Sequence, residues 1–240
     1  MDKKVLARSR DAMGHLLDEQ RAADALAYYY AFVHDAERTE LLIEPDSPEP
    51  ARGFLVQART GQDLFRPLVT LRAETRDVAE TLLQRGLVAG RPYYLTVPEG
   101  LSSWVLPSVQ ASDLELLWLM ELDVERYTPQ MNVMVQIGKS AEGWPRCVVE
   151  SQGVTYSTAG VNWMTARFAE VYVYTEPVAR GKGWGKAVVN VLCGLLLRAG
   201  KTPLYAVDQH NEYSIRLAEH VGFVDTGARE LACSVVRYGG

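Results

Sequence analysis

VYVYTEPVARGKGWGKAVV, residues 171–189, decides how this chain is read. Its first five residues alternate valine with tyrosine and end on threonine, the β-branched and aromatic pattern of a strand, and Pro177 stops that strand by withholding a backbone N–H. Arg180-Gly181-Lys182-Gly183-Trp184-Gly185-Lys186 follows, and AVVNVLCGLLLRAG, residues 187–200, then reads as a helix closed by Gly200. This order of strand, glycine-rich loop and helix gathers unpaired N–H groups and the positive end of a helix dipole at one point, which binds anions. The glycines permit conformations that a side chain blocks and let the backbone approach oxygen atoms, while Arg180, Lys182 and Lys186 add charge. A di- or triphosphate-like group suits this chemistry. The loop is not a P-loop: GxxxxGK[ST] begun at Gly181 needs glycine where Lys186 stands. GxGxxG begun at Gly181 fails at the same residue.

Around this loop the second half of the chain has a regular order. PRCVVES (145–151) and VTYSTAGVNW (154–163) flank Gln152-Gly153, a two-residue hairpin turn, and FAEVYVYT (168–175) makes the third strand of a meander. Beyond the helix, PLYAVD (203–208) is a short buried strand and NEYSIRLAEHV (211–221) an amphipathic helix opened by Asn211. Gly222-Phe223 then turns into a last strand near 232–237.

The 171–189 segment resembles the acetyl-CoA loop of the GNAT superfamily of acyl-CoA-dependent N-acetyltransferases, [QR]-x-x-G-x-[GA] after a valine-rich strand, with Arg180, Gly183 and Gly185 in the fixed positions. Downstream, Asn211, Ser214 and Leu217 followed by Gly222-Phe223 resemble that superfamily's next motif, Asn-x-x-[SA]-x-x-[LV] and then Gly-Phe, at the usual distance. The resemblance covers about residues 131–237. It implies a mixed, mostly antiparallel sheet flanked by helices, an α/β (α+β) fold with acetyl-CoA as co-substrate and no metal. The pantetheine would lie in a splay between the strand ending at Thr175 and the strand 203–208. Backbone groups at Val173 and Tyr174 would bond its amides, and Arg180, Gly181, Lys182, Gly183, Trp184, Gly185 and Lys186 would hold its pyrophosphate. Asn211 and Ser214 would face its other side, although Asn is also among the best helix N-caps and both roles stay open.

Acetyl transfer to an amine needs a group that takes the amine's proton. Glu170 resembles the glutamate that serves this superfamily as base, and strand alternation puts it on one face with Tyr172 and Tyr174. Burial of a carboxylate beside aromatic rings raises its pKa, as suits a base near neutral pH. The superfamily's usual proton donor to the departing thiolate, a tyrosine seven residues after the motif's asparagine, is Ala218 here. The thiolate then leaves unprotonated beside a helix N-terminus, or Tyr213 or Ser214 supplies the proton. His220 reads as a helix surface residue and Cys193 as packing.

The chain of 240 residues is 48% hydrophobic, 23% charged and 9% aromatic, which excludes a disordered tail, a collagen and a coiled coil. Residues 1–44 read as helix, EPDSPEP (44–50) as a loop, GFLVQART and PLVTLRAE as strands joined by a turn at Gly61. TRDVAETLLQRGLVAG reads as a helix capped by Thr75 and stopped by Gly86 or Gly90, with RPYYLTVP (91–98) as a strand and DLELLWLMEL (113–122) as a strand or equally a buried helix turn. The expected division is 1–125, an α+β region resembling a degenerate half of the same kind, and 126–240, the acetyl-CoA-binding GNAT domain. Through Glu125 there are 13 basic and 21 acidic residues, net -8, and after it 12 and 9, net +3. This suits a compact anionic ligand in the second half and a cationic acceptor, the amine of a small molecule or peptide, beside the first. No basic patch with interleaved aromatics marks a nucleic-acid binder, and no apolar run spans a membrane, so a cytoplasmic protein is expected. Cys147, Cys193 and Cys233 are too scattered for a disulfide framework or a metal site. The expected function is an N-acetyltransferase, and the alternative is an acyl-CoA-binding sensor or regulatory module without turnover.

Overall fold

The structure, a computed structural model, describes residues 3–46, 50–61, 63–130 and 132–239. Contacts divide the chain into two compact units, residues 1–117 with 228–240, and residues 118–227. The dividing lines fall inside two long strands, β5 (Val109–Leu122) and β11 (Phe223–Arg237), not after residue 125. Residues 228–240 therefore complete the first unit.

The first unit begins with α1 (Lys3–Met13), followed by short helical turns that include α2 (Ala25–Tyr28). The helical reading of residues 1–44 fails at its end, because TELLIE forms β1 (Thr39–Glu44), with Thr39, Leu41 and Ile43 buried and their neighbours more open. That alternation has the period of a strand. Of the expected 44–50 loop, residues 47–49 lie outside the described residues. Then come β2 (Gly53–Ala58), β3 (Leu68–Ala73), α3 (Arg76–Gly86), β4 (Pro92–Pro98) and α4 (Ser102–Val105). β1, β2 and β3 pair antiparallel, β3 pairs parallel with β4, and β4 pairs antiparallel with the end of β11. Thr75 holds the N-cap position of α3 without a side-chain capping bond, and the left-handed glycine comes after the helix, at Gly90. Leu55, Leu71, Leu82, Leu83, Leu95 and Cys233 belong to one apolar core between α3 and the sheet.

The second unit contains β6 (Val135–Lys139), β7 (Pro145–Ser151), β8 (Val154–Met164), β9 (Phe168–Thr175), α5 (Trp184–Arg198), β10 (Thr202–Asp208) and α6 (Glu212–Val221). β6 through β9 form an antiparallel meander, and β9 pairs parallel with β10. Gln152 (φ 53°) and Gly153 (φ 76°) both take left-handed conformations, the geometry that matches a two-residue turn to the twist of its strands. α5 begins at Trp184, three residues before the expected start at Ala187, so the end of the glycine loop is already its first turn. The helix is apolar nearly all round because it packs on β7, β8 and β9 and also against α6. Val188, Val189, Leu192 and Leu196 share one core with Cys147, Ala159, Val171 and Ala218. The last strand starts directly at Phe223, where Gly222, with φ 116°, closes α6.

Candidate functional site

β9 and β10 run side by side for only three rows, Phe168–Thr202, Ala169–Pro203 and Glu170–Leu204. Both strands continue, to Thr175 and Asp208, without further pairing to each other. On its other side β9 stays paired with β8, Val173 opposite Ala159 and Tyr174 opposite Thr158. The β10-facing backbone of residues 171–175 is thus an open strand edge, a template for hydrogen bonds with an extended guest.

The glycine loop sits at the far end of that split. Gly181 and Gly183 have φ of +77° and +76°, a conformation that L side chains resist, and a Cβ at either would meet nothing within 4 Å. Glycine is needed at both for backbone conformation, not for space. Gly183 is the N-cap of α5 and offers no side-chain acceptor, so the first N–H groups of the helix face outward with the positive end of its dipole. Gly185 is required for a different reason. A Cβ there would lie 3.0 Å from Thr175 Oγ1 and 3.1 Å from Leu217 Cδ1, so its absence lets the helix start close on β9 and α6. Arg180 Nε donates to Thr175 O at 3.3 Å, which ties the loop to the strand end while leaving the guanidinium exposed. Lys182 Nζ stands 4.9 Å over the Trp184 ring, which makes an edge contact with Tyr156 at 5.5 Å; Lys186 is half-buried. Val173, Tyr174 and the loop from Arg180 to Lys186 therefore lie together at the end of β9.

Glu170 stands at the last paired row, where the split begins. Ala169, Val171 and Val173 point toward α5, so Glu170, Tyr172 and Tyr174 lie on the opposite face. β8 carries a bulge opposite this point, between Val161 and Trp163. Asn162 Nδ2 donates to Glu170 Oε1 at 3.3 Å, and the Tyr172 ring lies over Gly160, where a Cβ would be 2.6 Å from its hydroxyl. Tyr174 is exposed and its hydroxyl donates to Glu176 Oε2 at 3.4 Å.

Asn211 is an N-cap: its Oδ1 accepts from Ser214 N at 3.1 Å. Ser214 lies near the hydroxyl of Tyr205, a residue the sequence reading does not single out. Tyr205 is buried on β10 one residue past the last paired row, and its ring lies 5.7 Å from Phe223. Burial raises its hydroxyl pKa, and the Glu170 charge raises it further. Its one signal in the sequence is a lone hydroxyl in the apolar run PLYAVD. Ala218 is completely buried in the core, so the position of the superfamily's tyrosine is a packing position here. Tyr213 is 84% exposed. Burial holds the Cys193 thiol far above its ordinary pKa, and His220 sits exposed on α6 with Nδ1 2.6 Å from Arg216 O, so both are the packing and surface residues expected. Among the described residues no group of three His, Cys, Asp or Glu is placed to hold a metal, and no helix is long and apolar enough to cross a membrane.

Residues 161–231 match the family model described as FR47-like protein. No curated protein sequence matches the chain. Among solved structures, an acetyltransferase of the GNAT family from Novosphingobium aromaticivorans is 16% identical, with a TM-score of 0.60 over 77% of this chain and 89% of that one. A tandem GNAT protein from the clavulanic acid biosynthesis pathway is 13% identical, with a TM-score of 0.61 over 100% and 96%. A GCN5-related N-acetyltransferase from Sphaerobacter thermophilus is 14% identical, with a TM-score of 0.57 over 99% and 92%. At these identities the likeness is one of fold. In its loop motif, in the family model matched over residues 161–231 and in its fold, the chain is similar to the GNAT superfamily.

Proposed function

We propose that the second unit is an acetyl-CoA-dependent N-acetyltransferase acting on an amine of a small molecule or peptide. The observation that carries this is the split between β9 and β10 beside a helix N-terminus whose glycines are left-handed. The residues present fit the cofactor's chemistry. An open strand edge at 171–175 matches the amides of pantetheine, and the outward N–H groups of 181–186 with Arg180, Lys182 and Lys186 match a pyrophosphate. Acetyl-CoA supplies an activated acyl group as a thioester. Glu170, at the mouth of the split, accepts the amine's proton as the amine nitrogen bonds the acetyl carbon and the carbon–sulfur bond breaks. With Ala218 in the core, the thiolate leaves beside the dipole of a helix N-terminus or takes a proton from a hydroxyl such as that of Ser214 or Tyr205.

Release of CoA thiol from acetyl-CoA is measured with a panel of amines. Turnover with at least one, reduced roughly 10²- to 10⁴-fold in kcat by Glu170→Gln with CoA affinity intact, supports the reading. The second reading, an acyl-CoA sensor, is favoured by Ala218 and predicts CoA binding with no thiol release for any amine.

We further propose that the first unit is a degenerate half of the same kind. Its element order parallels that of the second: antiparallel strands, three here and four there, then a helix, a parallel strand, a further helix and a further strand. β3 and β4 likewise pair for only two rows, Leu68–Tyr94 and Val69–Leu95, before running on unpaired to each other. Its counterpart of the glycine loop is only Glu74-Thr75, without glycine or a basic residue, and Arg72 on β3 is buried with Asp24 3.6 Å from its Nε. This half is inferred to bind no CoA.

A further inference from the structure

We propose that the first unit carries a second anion site, for a small metabolite with at least two carboxylate or phosphate groups. A cleft of about 420 Å³ opens where β1, β3 and β4 begin and β2 ends, and Arg38, Arg59 and Arg91 are among the residues that line it. That volume is on the scale of small-ligand sites. This end of the sheet is the one at which the parallel strands β3 and β4 start, so the cleft is not the counterpart of the cofactor site, which lies where β9 ends.

Asp35, Glu37 and Asp63 also line the cleft, and two of these carboxylates are already engaged. Asp63 accepts from Arg66 Nε at 2.6 Å and from the N–H groups of Phe65 and Arg66 at 2.8 and 3.0 Å; Asp35 accepts from the N–H of Glu37 at 2.9 Å. No carboxylate among the described residues forms an ion pair with Arg38, Arg59 or Arg91. Arg59 donates one Nη2–H to Glu37 O at 2.8 Å, and the Arg91 guanidinium lies 5.5 Å above the Tyr93 ring, which leaves most of the donors of both unspent. Arg38 depends on a glycine. Its Nη2 is 2.8 Å from the point where a Cβ on Gly61 would stand, and Gly61 has φ +80°, so any other residue there would push the guanidinium away. Convergent guanidinium forks without carboxylate partners are suited to bidentate pairing with carboxylate or phosphate oxygens, and Glu37 adds an acceptor for a ligand hydroxyl.

The test uses the full chain with Arg180→Gln and Lys182→Gln in place, so that the glycine loop is weakened as a competing anion site. Citrate and pyrophosphate are titrated separately by calorimetry. At least one should bind, and the tighter of the two identifies the carboxylate or phosphate character of the ligand. Adding Arg38→Gln with Arg91→Gln should weaken that binding at least tenfold at an unchanged circular dichroism spectrum. Both side chains are exposed; if the pair nevertheless fails to fold, each single substitution gives the same test. Absence of binding by both probes at millimolar concentration, or binding that survives the loss of both arginines, overturns the proposal.

Discussion

Replacing Gly183 by alanine isolates the backbone contribution to the loop. A Cβ at this position meets nothing within 4 Å, so the substitution adds no clash, yet φ of +76° places an L-residue in the left-handed region. That region costs such a residue roughly 1–2 kcal/mol. The cost must surface in one of two measurable quantities. If the loop relaxes in the free protein and is forced back by the ligand, CoA affinity falls by about 5- to 30-fold, at 1.4 kcal/mol per decade. If the loop holds its conformation, affinity stays and Tm drops, by about 2–4 °C per kcal/mol for a chain of this size. Calorimetric titration with CoA and a thermal melt on the same sample read both, and the two losses should together account for about 1–2 kcal/mol. Gly100→Ala, at an open position with ordinary φ, is the control and should change neither. If affinity and Tm are both unchanged in Gly183→Ala, the left-handed conformation is not what shapes the loop and the argument fails.

Gly194→Ala places a Cβ 2.7 Å from the Tyr127 hydroxyl, which donates to Asn190 O at 2.8 Å; it should cost about 1–3 kcal/mol in denaturant unfolding, partly recovered by Tyr127→Phe. No recovery would mean the strain lies elsewhere. Asp63, held down to about 2 by its bonds to Arg66 and Phe65, should titrate there by NMR and rise in Arg66→Ala, while the remaining N–H bonds of residues 65 and 66 keep it below the ordinary carboxylate range. Because the folded value lies below the unfolded one, this group's contribution is complete above about pH 4 and fades as pH falls toward about 2. The thiols of Cys147 and Cys233 are pushed up to about 11 by burial and that of Cys193 higher still, so all three should resist a disulfide reagent at pH 8 until the protein is unfolded. Rapid labelling of native Cys193 would contradict its packing role.

Much of the site is legible in the sequence because its residues carry local constraints. Gly181 and Gly183 have a backbone need that no other residue meets cheaply, Gln152-Gly153 fixes a hairpin, and VYVYT alternates valine with tyrosine. β6 is not legible: VQIGK is mostly exposed, so burial imposes no alternation on it. TELLIE fails for another reason, since its apolar residues follow a helical stretch and only pairing with β2 makes the strand. The split of β9 from β10 follows from register, a relation between segments distant in sequence, and the motif resemblance implies it where local pattern does not. The unit boundary is hidden similarly, because β11 is one strand whose two ends belong to different cores.

A crystal structure of the CoA complex tests the central claim most directly. The account predicts one CoA per chain, its pyrophosphate against the N–H groups of residues 181–186, its pantetheine hydrogen-bonded along the 171–175 edge of β9, and its sulfur within reach of an amine that can also meet Glu170. CoA found between β3 and β4, or held on the surface away from the glycine loop with the β9–β10 split empty, would contradict it.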